Sequence, residues 1–241
     1  MKCRGCSMTS EIEKRVLYED NHIIIVNKNP GEIVQADKTG DSTLMDTVKA
    51  YLKEKYNKPG NVFLGLPHRL DRPTSGIVVL AKTDKALSRL NEMFRTGKVD
   101  KIYWAITDRP LPENKGTLVH YLYRDGEKNK SFAFSSPKVR GHRESDLQEA
   151  RLEYETLAQS DRYTLLKIRL LTGRHHQIRA QLAACNVHIK GDLKYGFPRS
   201  NPDGGICLHS REVTFVHPVS GKDICVTAPT PDDRIWTIFS L

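Results

Sequence analysis

Short apolar runs, alternating or β-branched and cut apart by glycine, proline and polar turns, constrain the fold of this chain more than any other feature. They stand at 22–27, 77–81, 101–107, 150–157, 163–171, 206–215 and 223–228. A period of two over so few residues builds half-buried strands, and only a few polar residues separate the runs at 150–157 and 163–171, as in an antiparallel pair. Helical spacing is rarer. Leu44, Val48 and Leu52 recur every fourth residue behind Thr43 and Asp46, a capping box with Asp in place of Glu or Gln, and predict a helix to about Tyr56. Asp84 is the expected cap of a second helix bearing Leu87, Leu90 and Phe94 on one face. Ile178 and Leu182 mark a third that begins near Gly173, and a short terminal helix follows Pro231. Strands outnumber helices, so the expectation is an α+β fold, a mixed, largely antiparallel sheet with flanking helices. No linker, repeat or low-complexity tract stands out. Residues 1–15 are expected to be a flexible segment and 16–241 one domain.

Composition narrows the partners. The 38 Lys and Arg against 29 Asp and Glu give a formal charge of +9. Such a surplus favours polyanions, nucleic acid first, through phosphate neutralisation and counterion release. Residues 124–146 concentrate it in a polar stretch broken by Gly126, Pro137 and Gly141. That stretch reads either as a solvated, mobile hairpin or loop or as a basic arm that touches a polyanion. The start of the chain is charged but has no apolar stretch behind it, unlike a secretory signal. The run Ile23 to Val26 is too short to span a bilayer. Five scattered cysteines suit a reducing cytosol, so a cytoplasmic protein is expected. Cys3 and Cys6 form a lone C-x-x-C without the second pair that a structural zinc needs.

Two segments could carry chemistry. In His68-Arg69-Leu70-Asp71-Arg72-Pro73-Thr74-Ser75-Gly76 one carboxylate sits between two arginines, on a loop feeding directly into the apolar run 77–81. That is a surface ion pair or a site mounted at a sheet edge. Neighbouring cations favour the ionised carboxylate, which suits a nucleophile or an electrostatic stabiliser rather than a general acid. The second segment, Thr172 to Arg179, gathers Arg174, His175, His176 and Arg179 around the expected start of a helix. The helix dipole disfavours cations there, so an anion should compensate. No metal-ligand spacing, P-loop or dinucleotide fingerprint occurs, and neither metal nor cofactor is implied.

These segments resemble the RluA family of pseudouridine synthases. Its H-R-L-D-x-x-T-S-G stands as His68 to Gly76, and its T-G-R-x-H-Q-I-R as Thr172 to Arg179. Gly191-Asp192 and Tyr195-Gly196 follow at the family's distance. Lys101, Tyr103 and Ala105 match a K-x-Y-x-A strand, and Asn27 to Gly31 an early N-K-P-x-G with one residue inserted. The resemblance covers roughly residues 16 to 228. It implies a pseudouridine synthase fold with a central RNA-binding cleft, and isomerisation of uridine to pseudouridine in structured RNA, an rRNA or tRNA stem-loop. No cofactor, metal, membrane or obligate protein partner is implied.

By position, Asp71 would be the nucleophile, Tyr103 would stack on the target base and act in proton transfer, and Arg174 would pair with Asp71. Arg69 would fill the place of the flipped uridine, and His68, Arg72, Gln177 and Arg179 would join it in holding RNA. Many relatives carry an S4-type RNA-binding domain ahead of the catalytic one. Here about fifteen residues precede the first match, so target choice is expected to rest on the catalytic domain and RNA shape. Two rivals remain: an inactive RNA-binding protein, which leaves Asp71, Tyr103 and Arg174 unexplained, and a hydrolase using Asp71 on a phosphorylated small molecule.

Overall fold

The computed structural model describes residues 8–36 and 40–239. In chain order the first elements are α1 (Met8–Glu13), β1 (Val16–Glu19), β2 (Ile23–Lys28), α2 (Leu44–Lys55), β3 (Ser75–Ala81) and α3 (Asp84–Arg95). Next come β4 (Asp100–Thr107), β5 (Lys115–Asp125), β6 (Lys130–Phe134), β7 (Leu147–Gln159), β8 (Thr164–Leu170) and α4 (Gln177–Ala184). The last are β9 (Leu208–Val216), β10 (Asp223–Thr227) and α5 (Arg234–Thr237). Most strand pairing is antiparallel, as expected of the α+β class.

Two compact units divide the chain, Met1–Val99 with Glu212–Pro229, and Asp100–Arg211 with Thr230–Leu241. The chain changes unit at the start of β4, inside β9 and between Pro229 and Thr230; the first two crossings lie within strands and only the third in a Pro-containing coil.

In the first unit β2 pairs with β1 on one side and β3 on the other. Every residue of β3 is buried. A strand covered on both faces has no reason to alternate, which is why 77–81 is continuously apolar. Ile23, Ile25, Ile77 and Val79 pack with Ala86 and Leu90 of α3 and with Val213, Phe215, Ile224 and Val226 of the β9–β10 hairpin. Each such aliphatic side chain contributes about 1.5–3 kcal/mol by leaving water. Helix α2 begins with the expected capping box, the Asp46 amide donating to the Thr43 hydroxyl at 3.0 Å. At α3 the cap is Thr83, not Asp84, because the Thr83 hydroxyl lies one residue earlier and reaches the Ala86 amide. Residues 8–13, expected to be flexible, form α1, and Ile12 is buried against the unit.

In the second unit β4, β8, β7, β5 and β6 pair in that order. The inner face of β5–β7 packs on α4 through Leu122, Ala150, Ala180 and Tyr195. Helix α4 starts at Gln177 rather than near Gly173, because His176 adopts a left-handed backbone (φ 52°) that no helix can continue through. The basic stretch 124–146 contains a regular hairpin, β5 running on to Asp125 and pairing with β6. Cys185, Cys207 and Cys225 are free thiols; Cys3 and Cys6 lie outside the described residues. No helix among the described residues is long and apolar enough to cross a membrane.

Candidate active site

In the first unit the Asp71 loop is braced from beneath by the segment that follows β2. Lys28 ends that strand with its side chain buried (1 % exposed). Its ammonium donates to the carbonyls of Asn29 (2.9 Å), Arg72 (3.0 Å) and Thr74 (2.6 Å). Burial pushes the Lys28 ammonium down to a pKa of about 8, against the pull of Glu32 and Asp71. Gly31, at φ 83°, donates its amide to the Arg72 carbonyl at 2.9 Å. The Thr74 amide closes a turn onto the Asp71 carbonyl at 3.0 Å. Gly76, at φ 107°, then lets the chain leave this turn straight into β3, where it faces Lys28. Asp71 is half-buried on a loop whose backbone is fixed immediately after it.

Its neighbours divide in role. Arg69 is exposed. His68 is turned inward: its Nε2 accepts the Val79 amide at 2.9 Å and its ring stacks on Phe94 with centroids 4.4 Å apart. Arg72 donates from Nε to the Gly31 carbonyl and pairs with Asp41 at 3.2 Å. His68 and Arg72, both expected to contact RNA, thus also help to hold the loop's shape.

The second unit presents Tyr103 and Arg174. Tyr103 lies on β4 opposite Ile168 of β8 and is 7 % exposed. On β4, which pairs with the strand β8 leading into the T-G-R loop, Lys101 is desolvated and its ammonium is lowered in pKa. A Cβ at Gly173 would come within 3.5 Å of the Lys101 Nζ. The loop itself is built around Gln177, whose Oε1 accepts from the Thr172 hydroxyl (2.8 Å) and the Arg174 amide (2.9 Å). Its Nε2 donates to the Arg151 carbonyl at 3.0 Å. The Arg174 Nε in turn donates to the Glu149 carbonyl at 3.1 Å, so the guanidinium is aimed by β7.

Arg179 pairs bidentately with Asp192 at 2.7 and 2.8 Å, the two side chains 5 % and 1 % exposed, and lies over the Tyr195 ring. Gln177 and Arg179 were expected to hold RNA. Both are buried: Gln177 anchors the loop that carries Arg174, and Arg179 ties α4 to Asp192. The resemblance placed Asp192 and Tyr195 in a matching block without roles, and assigned none to Lys28 or Ser131. Among the described residues no group of three or more His, Cys, Asp or Glu is placed to hold a metal ion.

Three kinds of likeness bear on this arrangement. Residues 22–184 match the family described as RNA pseudouridylate synthase. An uncharacterized RNA pseudouridine synthase of Helicobacter pylori is 32% identical over 230 residues, 93% of this chain and 69% of that protein. The ribosomal large subunit pseudouridine synthase C of Buchnera aphidicola is 30% identical over 89% of this chain and 66% of its own length. The chain thus spans about two thirds of these relatives. In fold it is similar to human RNA pseudouridylate synthase domain containing 4, with a TM-score of 0.79 at 23% identity over 95% of this chain and 93% of that one. The matched segment begins before β2 and ends with α4, so it takes in the Lys28 brace, the Asp71 loop, Tyr103 and the Arg174 loop. This chain belongs to the RNA pseudouridylate synthase family, as an RluA-type pseudouridine synthase.

Proposed function

We propose that the protein isomerises particular uridines of ribosomal RNA to pseudouridine, with Asp71 as the nucleophile. Relatives named ribosomal large subunit pseudouridine synthase C and D support ribosomal RNA as the substrate, ahead of tRNA. A uridine within a folded RNA is out of reach, so the enzyme extrudes it at a cost of a few kcal/mol. The exposed Arg69 takes the vacated place, where a planar guanidinium can both stack and hydrogen-bond.

The Asp71 carboxylate drives cleavage of the bond between N1 of uracil and C1′ of ribose. The detached base turns and rejoins C1′ through C5, then C5 gives up its proton and N1, freed from the sugar, gains one. Nothing is oxidised or reduced, and no group leaves. Tyr103 stacks on the base and serves the proton transfer, and the Arg174 fork orients the carboxylate. The observation that carries this reading is the bracing of the Asp71 backbone by Lys28 and Gly31, the preorganisation a nucleophile on a loop requires.

The test is pseudouridine mapping of cellular rRNA and tRNA with and without the protein, repeated in vitro on the RNA so identified. Sites lost in its absence and restored by the purified protein name the substrate. An unchanged map, with salt-dependent RNA binding intact, refutes the reading. Arg174→Lys should fail in the same assay despite keeping its charge, since a point charge replaces a fork.

A further inference from the structure

The aromatic residues of the β5–β6 hairpin are not used by the reaction, and their placement is not that of a core. Tyr121 faces Phe134 across the two strands and Tyr123 faces Phe132, so all four rings share one face. The opposite face, with Leu122 and Ala133, packs toward α4. The ringed face is the outer one of the unit, since its next positions along β5, Thr117 and Val119, are exposed, as are Arg151 and Glu153 on β7. All four rings stay half-exposed. His142 comes back over their edge, 4.2 Å from the Tyr123 ring and 5.7 Å from that of Phe134.

Cations frame this patch. The ammonium groups of Lys128 and Lys130 stand 6.0 and 5.5 Å from the Phe132 ring centroid. Between residues 124 and 146 six Lys and Arg oppose four Asp and Glu. Aromatic faces set among cations on an antiparallel sheet take unpaired nucleic-acid bases, the rings by stacking and the cations along the backbone. Rings two residues apart on one strand are about 7 Å apart. That is twice the roughly 3.4 Å rise of a duplex strand, so bases resting on successive rows must be parted from each other.

The patch is also rigidly mounted. On the inner face Ser131 donates its amide to the Tyr195 hydroxyl (2.8 Å) and its hydroxyl to the His175 carbonyl (2.7 Å). Its hydroxyl also lies 2.9 Å from the His175 Nδ1, and the Tyr195 hydroxyl 2.9 Å from the His176 Nδ1. The hairpin is thereby tied to the two residues that follow Arg174, and little conformational freedom is left to lose on binding.

We propose that the outer face of the β5–β6 hairpin is a stacking platform for unpaired bases of the substrate RNA, formed by Tyr121, Tyr123, Phe132 and Phe134. It selects RNAs with a single-stranded segment, a preference separate from the pairing of the target uridine. The proposal rests on the reading that the substrate is RNA.

Its test is the affinity of a labelled twelve-nucleotide oligocytidylate, which contains no uridine and so reads the platform whether or not pseudouridine is formed. Tyr123→Leu and Phe132→Leu keep apolar bulk but remove the ring. Each should weaken binding roughly five- to a hundredfold, the range of one lost base stack. Tyr123→Phe should bind like wild type. On the mapped rRNA substrate the leucine variants should raise KM and leave kcat unchanged. Wild-type affinity in both folded leucine variants overturns the proposal, as does a fall in kcat at unchanged KM. Should those variants not fold, ultraviolet cross-linking of oligocytidylate to the intact protein decides. Adducts on the four rings support the platform, and adducts confined to other residues overturn it. Failure of rRNA modification with oligocytidylate binding intact would refute the proposed reaction and leave the platform standing.

Discussion

Replacing Lys28 by methionine isolates the brace beneath Asp71, and its effect can be worked from the geometry. Methionine keeps most of the length and apolar stem but donates nothing. The Arg72 carbonyl still receives the Gly31 amide, so the carbonyls of Asn29 and Thr74 are the ones that lose the lysine's donation. An unmet buried acceptor costs about 1–3 kcal/mol, which gives about 4 kcal/mol for two. Against this, the variant no longer buries a cation. The Lys28 pKa lies near 8 rather than 10.5, and at 1.36 kcal/mol per unit that burial costs the wild type about 3 kcal/mol at neutral pH.

The net loss at pH 7 is therefore small, about 1 kcal/mol. It grows with pH. Between pH 8 and 10.5 folded Lys28 has released its proton while the unfolded lysine still holds one, so the unfolded chain binds more protons and wild-type stability rises along this limb. The methionine variant lacks that gain. Urea denaturation of both proteins at pH 7 and pH 10 should show the gap widening by about 2–3 kcal/mol at the higher pH. A gap that is constant, or largest at pH 7, would refute the reasoning.

Other expectations concern the supports around the site. Glu19 accepts from Lys55 (2.8 Å), Lys82 (2.7 Å) and the Tyr56 hydroxyl (2.7 Å). Burial alone would raise its carboxyl, but these donors outweigh it and hold the pKa down at about 2. A depressed carboxylate contributes stability that is full above the unfolded value of 4.5 and is lost as pH falls toward 2. Glu19→Gln should flatten that limb in acid titrations followed by circular dichroism. Asp192→Ala leaves Arg179 buried without its carboxylate and should cost about 3–5 kcal/mol in chemical denaturation. Tyr195→Phe removes the hydroxyl shared by Ser131 and His176 and should cost about 1–3 kcal/mol, read the same way.

The parts of the fold written in local pattern were legible in the sequence. The Thr43–Asp46 box needs only residues three apart, and the run 77–81 announces burial by composition alone. What escaped depends on distant partners or on one backbone angle. The left-handed turn at His176 shortens α4, and no spacing of apolar residues encodes it. Arg179 and Gln177 look like RNA ligands in a cationic motif. Asp192, thirteen residues on, and the Arg151 carbonyl, across the sheet, turn them inward. Lys28 read as one letter of a short motif, because the carbonyls it holds lie 44 and 46 residues away. The reaction became legible through the ordered set of motifs, since a carboxylate between arginines is equally a structural ion pair.

On the proposed mechanism, Asp71 makes this fold an enzyme. The direct test is single-turnover conversion of the mapped rRNA carrying tritium at C5 of uridine, whose release accompanies each new C5–C1′ bond. Wild type and Asp71→Asn would be compared at equal RNA occupancy, with thermal unfolding as the control. Wild type should release tritium to completion, and the asparagine variant should release none while binding RNA and unfolding as wild type does. Release by Asp71→Asn at a rate near that of wild type would contradict the account.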